Sequence, residues 1–245
     1  MNRALLKEDA KRSLSGKWGH CALCTFVLLL LLSVLSAFQG PSGELSRHAV
    51  TEFRITWPLF TVAPVWGLIL SLIASIATSF LQFGYLDILM NIKAGHPTSC
   101  AMLFHPFTER TEELVKMTLL YTAIDLVYLL LVWFFVSLMP LLAIPLILVL
   151  SFGYTVLRLR LSFVPMILLE SPDTPIWTAF IRSETMMRGY TFQFFVLCLS
   201  FLGWAFLAAL TLGIGVLWLY PYIGMTVVNF YFEIKNHPSY ACNQV

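Results

Sequence analysis

The sequence predicts an all-α fold, a polytopic bundle of transmembrane helices, on two observations. Between Leu119 and Leu157 the chain runs for nearly forty residues with one charged side chain, Asp125. A bilayer crossing takes roughly 20 apolar residues, so this run has the length of two helices back to back. Hydrophobic residues also make up 59% of the chain and charged residues 11%, against roughly 45–50% and 25% in soluble domains. A core built from 245 residues is too small to hide such a run from water. In lipid the run is in its proper solvent, because helices satisfy their own backbone groups.

Six spans follow in order. The first, about 20–38, comes after a basic stretch holding Arg3, Lys7, Lys11, Arg12 and Lys17. It is not a cleavable signal peptide, since no small-x-small site closes its apolar run and more spans follow. A polar loop with Glu44, Arg47, Glu52 and Arg54 leads to the second span, about 60–90, expected to tilt or kink near Pro64. A linker carrying His96, Cys100, His105, Glu109, Glu112 and Glu113 comes next. The third and fourth spans, about 117–138 and 141–168, share the long apolar run and turn near Pro140 to Pro145. The fifth is about 192–210, and the sixth, about 216–232, follows the turn Thr211-Leu212-Gly213-Ile214-Gly215. No internal repeat is visible, so the inverted-repeat signature of many secondary transporters is missing.

With six spans, thirteen of the fifteen Lys and Arg fall on the side of the N-terminus, and only Arg47 and Arg54 on the other. Positive residues stay cytoplasmic, so both termini are expected inside. The connection 171–189 reads as a short helix on that face. Thr174 can cap it, Pro175 suits its first position, and Gly189 lies just past its end. Ile176, Trp177, Phe180, Ile181 and Met187 fall on one side, and Thr178, Arg182 and Thr185 on the other. Two placements stay open: an interfacial helix, marked by Trp177 and Phe180 on its apolar side and by Arg182 and Arg188 near anionic headgroups, or a capped helix packed on the inner mouth of the bundle.

Charge and motifs exclude several functions. A net charge of +2 gives no reason to expect a nucleic-acid partner. The five cysteines, Cys21, Cys24, Cys100, Cys198 and Cys242, are odd in number and scattered, and read as small buried hydrophobes rather than a disulfide framework. His20-Cys21-x-x-Cys24 puts both thiols on one helix face, but a closed zinc site wants four ligands. Only a composite with His96, Cys100 and His105 of the linker supplies more, and no metal or cofactor is expected. There is no His-Glu-x-x-His, Gly-x-Ser-x-Gly or glycine-rich phosphate loop, so no catalytic residue is assigned. Asp125 is the acid placed deepest in a span. Arg158 is its expected partner, because helices joined by a short turn pack antiparallel, and Tyr154, one turn away, can donate a further hydrogen bond.

The second half carries an ordered series of short motifs: Ser183-Glu184-Thr185-Met186-Met187-Arg188-Gly189, Leu199-Ser200-Phe201-Leu202-Gly203-Trp204, Leu210-Thr211-Leu212-Gly213-Ile214-Gly215, Leu217-Trp218-Leu219-Tyr220-Pro221-Tyr222 and Asn229-Phe230-Tyr231. With Met1-Asn2-Arg3, Leu6-Lys7, Ala10-Lys11 and Gly16-Lys17-Trp18-Gly19 at the start, the chain resembles the bacterial integral-membrane family catalogued as domain of unknown function nine-seven-five. The middle departs, with Leu138-Met139-Pro140 and Ala143-Ile144-Pro145 where that family tends to an Ile-Pro-Gly turn. The resemblance implies a bacterial cytoplasmic-membrane protein with no established activity and supplies no catalytic residues. Gly203, Gly213 and Gly215 are read as helix-packing and turn positions.

Three classes stay open. The first is a non-catalytic protein that binds or organises another membrane component, with the bilayer as one partner and a membrane protein or small hydrophobic ligand as another. The second is a small transporter or permease coupled through Asp125. An intramembrane enzyme is disfavoured, because Asp87 and Asp125 sit on different spans and no catalytic pair is evident. The topology has a direct check. Reporter fusions after Met90 and Val245 should both read cytoplasmic, and one near Gly43 external; an external C-terminus overturns the six-span order.

Overall fold

The computed structural model describes residues 3–39, 63–109, 111–138, 143–171 and 173–237, and every regular element among them is helical. The loop with Arg47 and Arg54, the turn residues Met139 and Pro140, and Cys242 lie outside the described residues. Five segments are long and apolar enough to cross a membrane: Trp18–Leu35, Leu72–Ala94, Thr111–Leu138, Ile144–Glu170 and Thr191–Leu210. By length and composition the chain therefore has the helices of a membrane protein.

Helix α1 (Arg3–Leu14) is an amphipathic helix that the basic residues concealed. Leu6, Ala10 and Leu14, four residues apart, are buried, while Glu8 and Arg12 pair at 2.7 Å on the outer face. The helix lies along the last helix, where Asn229 Nδ2 donates to the Leu6 carbonyl at 3.4 Å. Lys7 donates to the Ser200 carbonyl at 3.4 Å and sits 4.3 Å from the centre of the Phe201 ring. Burial, and then the charges of Arg3 and Lys11, lower the Lys7 pKa from its ordinary value.

Helices α2 (Trp18–Gln39) and α3 (Ala63–Ala94) pack together. The Thr25 and Tyr85 hydroxyls meet at 2.8 Å across that interface. Helix α3 begins at Ala63, so Pro64 stands in its first turn, where proline displaces no helical hydrogen bond, rather than at an interior kink. The linker that follows is not irregular. It forms a 3₁₀ turn (Cys100–Phe104) and a one-turn helix, α4 (Pro106–Glu109). The 3₁₀ turn lies against α3 at Gly84, where a Cβ would fall 2.4 Å from the Leu103 carbonyl oxygen. Only glycine lets these two backbones come so close. This docking brings Cys24 and Cys100 together as a disulfide with Cα atoms 5.3 Å apart, correcting the reading of these two residues as separate buried hydrophobes. Spacing along the chain carried no sign of it, since 76 residues separate the pair.

Helices α5 (Thr111–Leu138) and α6 (Ala143–Arg160) form the expected hairpin, with Pro145 in the first turn of α6. The fourth apolar segment then breaks at 161–163 and resumes as α7 (Val164–Glu170), with Pro165 at its start. Helix α8 (Ile176–Met187) follows; its N-cap is Pro175 rather than Thr174, with no side-chain cap. The fifth segment is also broken, into α9 (Thr191–Leu199) and α10 (Leu202–Leu210). The expected sixth span folds as α11 (Val216–Lys235), which is not among the five long apolar segments and carries buried Pro221, Thr226 and Asn229. Helix α11 is the axis of the fold, touching α1, α2, α3 and α10.

The close approach at Gly84 generates a contrast. Gly84→Ala should destabilise the detergent-solubilised protein by about 1–3 kcal/mol, the usual scale of overpacking, less up to ~1 kcal/mol of regained helix propensity. Gly19→Ala, in α2 with nothing within 4 Å of its Cβ position, should be neutral or stabilising. Thermal melting of the two variants compares them; a Gly84→Ala protein as stable as wild type contradicts the packing.

Candidate functional site

The described residues line a half-open cavity of about 680 Å³ between α3, α5, α7 and α11, with Arg158 reaching in from the end of α6. Its lining mixes apolar side chains, among them Leu86, Leu89, Met117, Met166, Ile223 and Val227, with polar ones, Ser75, Ser79, Gln82, Thr122, Asp125 and Arg158. Ser75, Ser79 and Gln82 recur at helical spacing along α3 and so share one face. That stripe was visible in the sequence as a polar strip inside an apolar span, though its meaning needed the opposing helix.

Asp125 and Arg158, the predicted intramembrane pair, stand together in this lining. Arg158 Nη2 donates to Asp125 Oδ2 at 3.3 Å, and Tyr154 OH donates to Asp125 Oδ1 at 2.7 Å. Both carboxylate oxygens are thus engaged from α6, and the pair remains half-exposed within the chain. The guanidinium lies over the Tyr121 ring, 4.9 Å from its centre, a cation–π contact on the cavity side. Tyr121 in turn donates to the Leu161 carbonyl at 2.6 Å, across the break that follows α6. Tyr128 stacks on Tyr154 with centres 4.3 Å apart and bonds Ser151 at 2.8 Å. The cluster clamps α5 to α6 and leaves the guanidinium beside the cavity. A guanidinium has five N–H donors, so one contact to Asp125 does not exhaust Arg158.

The structure divides the apolar side of the 171–189 helix. Ala179, Phe180, Ser183, Met186 and Met187 are buried, and the Phe180 ring packs 5.4 Å from Tyr121. Trp177 and Ile181 remain exposed at 65% and 52%. Phe180 is therefore a packing residue, because α8 docks on α5, α6 and α7. Ser183 donates to the Arg160 carbonyl at 2.8 Å. Glu184 takes Arg160 at 3.7 Å and Arg188 at 3.1 Å. Arg182 is half-buried on the same helix.

Of the three glycines, Gly203 faces open space, with nothing within 4 Å of a Cβ placed there. Gly213 has φ +86°, a left-handed conformation that shapes the turn before α11. At Gly215 a Cβ would fall 2.9 Å from Ala208 Cα, so that turn closes onto α10. Of the composite ligand set, His20, Cys24 and Cys100 come together; Cys21 is buried without a disulfide, and neither His96 nor His105 joins the group.

The family model described as "Protein of unknown function (DUF975)" matches residues 1–238. The chain belongs to that family. Comparison with curated proteins and with solved structures finds no match.

The Asp125 cluster makes a substitution series informative. Interhelical hydrogen bonds in membranes average about 0.6 kcal/mol and reach about 1.7, so Tyr154→Phe should lower stability by no more than ~2 kcal/mol. Asp125→Ala should cost more, because it strands the Arg158 charge, and adding Arg158→Gln should recover part of the loss. Melting temperatures in detergent report the cycle; no recovery in the double variant would show that the pair is not coupled.

Proposed function

We propose that this chain is a six-span, non-catalytic protein of the bacterial cytoplasmic membrane, with both termini inside, that binds an amphiphilic membrane component in the cavity between α3, α5, α7 and α11. The observation that carries this reading is the mixed lining of the cavity. Its apolar side chains fit a hydrocarbon or isoprenoid tail. The Ser75 and Ser79 hydroxyls, the Gln82 amide and the Arg158 guanidinium fit a head that accepts hydrogen bonds.

The volume supports the same reading. A cavity of about 680 Å³ is within the roughly 300–1,000 Å³ that small-molecule sites span, too small for a whole two-chain lipid but sufficient for a head and the first part of a tail. Asp125 offsets the Arg158 charge, so the pair adds no net charge to an apolar surrounding, where an uncompensated one is expensive. The lean of charge to one side and the exposed Trp177, on a helix that also carries Arg182 and Arg188, support placing α8 at the inner interface, with its buried face on the bundle.

The transporter reading rests on the same carboxylate. Breaks at 161–163 and 200–201 give discontinuous helices, a feature that transporters use at their sites. Against it, Asp125 is tied on both oxygens to α6, which suits a fixed wall better than a group that must load and release a proton.

The test is purification from native membranes in mild detergent, followed by mass spectrometry of co-purified small molecules. Wild type should carry an amphiphile, and Ser79→Phe, which adds bulk at a polar lining position, should carry several-fold less while remaining folded. Equal yields from both proteins, or none from either, overturn the proposal.

A further inference from the structure

The His20, Cys24 and Cys100 cluster stands apart from the cavity. His20 precedes Cys24 by one helical turn in α2, so both side chains leave the same face. Cys100 opens the 3₁₀ turn that Gly84 allows to dock on α3. The three ligand atoms lie within 4.8 Å of one another, with His20 Nε2 3.6 Å from the Cys24 sulfur. Cys24 is fully buried, and His20 and Cys100 are half-buried, so solvent or a carrier can reach the group from one side. A disulfide needs no imidazole beside it. Two thiols and an imidazole converging from two elements are the donor set of a thiophilic metal ion.

We propose that His20, Cys24 and Cys100 form a redox-gated site for a thiophilic transition-metal ion of the zinc class, closed when Cys24 and Cys100 are joined as a disulfide and open when they are reduced. In the joined state neither sulfur is a thiolate and the ion has no site. A dithiol opens the bridge by exchange: its own two sulfurs become a disulfide, and Cys24 and Cys100 take up the two electrons and two protons. Metal entry then displaces those two protons, and two thiolates with a neutral imidazole make an uncharged complex with a divalent ion. Two thiolates on one zinc sit about 3.8 Å apart, from Zn–S bonds of about 2.3 Å at a tetrahedral angle. Reduction removes the bond that holds the sulfurs closer than that spacing. Three protein ligands leave a fourth position for water or a transferable ligand, so the ion is exchangeable rather than sealed.

Placement on the cytoplasmic side, where thiols are kept reduced, rests on the topology proposed above. The coordination chemistry does not, and it is tested separately. The full-length protein in detergent is reduced with a phosphine, freed of reductant, and titrated with Co²⁺ under argon. One equivalent should raise a thiolate-to-cobalt charge-transfer band, and Zn²⁺ should bleach it. The unreduced protein should show no band. Cys100→Ser should abolish the band, and His20→Gln should weaken Co²⁺ binding by about tenfold or more, the scale on which even outer-shell partners act. Cys198→Ser should leave the band intact. Cys100 and His20 are only half-buried, so these variants fold where a change at Cys24 is at risk. As a second measure on wild type alone, Zn²⁺ should slow maleimide labelling of Cys100 in the reduced protein. No band in the reduced protein, or an undiminished one in Cys100→Ser, overturns the proposal and leaves a structural disulfide only. Loss of co-purified amphiphile in Ser79→Phe has no bearing on these readouts, so the two proposals fail independently.

Discussion

In an apolar medium every polar group released from a helix has to find its partner inside the protein, and this constraint organises the whole chain. Hydroxyls meet it locally: Thr25, Thr118, Thr122, Thr155 and Thr226 each donate to the carbonyl four residues back. Where helices break, neighbours supply the donor. At 161–163 the Leu161 carbonyl takes the Tyr121 hydroxyl and the Arg160 carbonyl takes Ser183. At Ser200, between α9 and α10, the donor is Lys7 from the N-terminal helix. The discontinuities are thus tied to other elements, which fixes where α1, α5 and α8 dock.

The same constraint shapes the cavity. A wall of serines, glutamine and an ion pair is expensive against lipid tails, so these residues face one another across α3, α5 and α6. The far ends of the helices are treated alike, with Glu170 at the end of α7 receiving Tyr231 at 2.7 Å and pairing with Lys235. The cavity is then what remains when α11, carrying Gly224 and Tyr220 on its inner face, closes over a polar wall that no side chain fills. Small residues at 75 and 79 leave room in it, while at Gly224 a Cβ would fall 2.4 Å from Leu89 Cδ1, so α11 lies close against α3 there.

Much of this was legible in the sequence and some was not. The class of fold followed from the apolar run around Asp125. The nearness of Asp125, Tyr154 and Arg158 was readable because one short turn joins their helices and four residues separate Tyr154 from Arg158. Helix α1 was missed although Leu6, Ala10 and Leu14 carry its period, because the lysines and arginines around them read as a solvated basic stretch. The Cys24–Cys100 junction lay beyond the sequence, since it depends on two backbones meeting at Gly84, a contact with no periodic trace. For α11, aromatic, proline and asparagine residues mark a helix packed on protein more than on lipid, and length alone did not separate the two.

The central claim is that the polar-walled cavity between α3, α5, α7 and α11 is a binding site held in shape by Asp125 and Arg158. A density map of the protein taken from native membranes into lipid nanodiscs tests it most directly. The account predicts an elongated density in the cavity, its head within hydrogen-bonding distance of Arg158 and its tail along Leu89 and Ile223, with Asp125 still bonded to Tyr154. A cavity collapsed by inward movement of α11, or one filled only by ordered water, would contradict it.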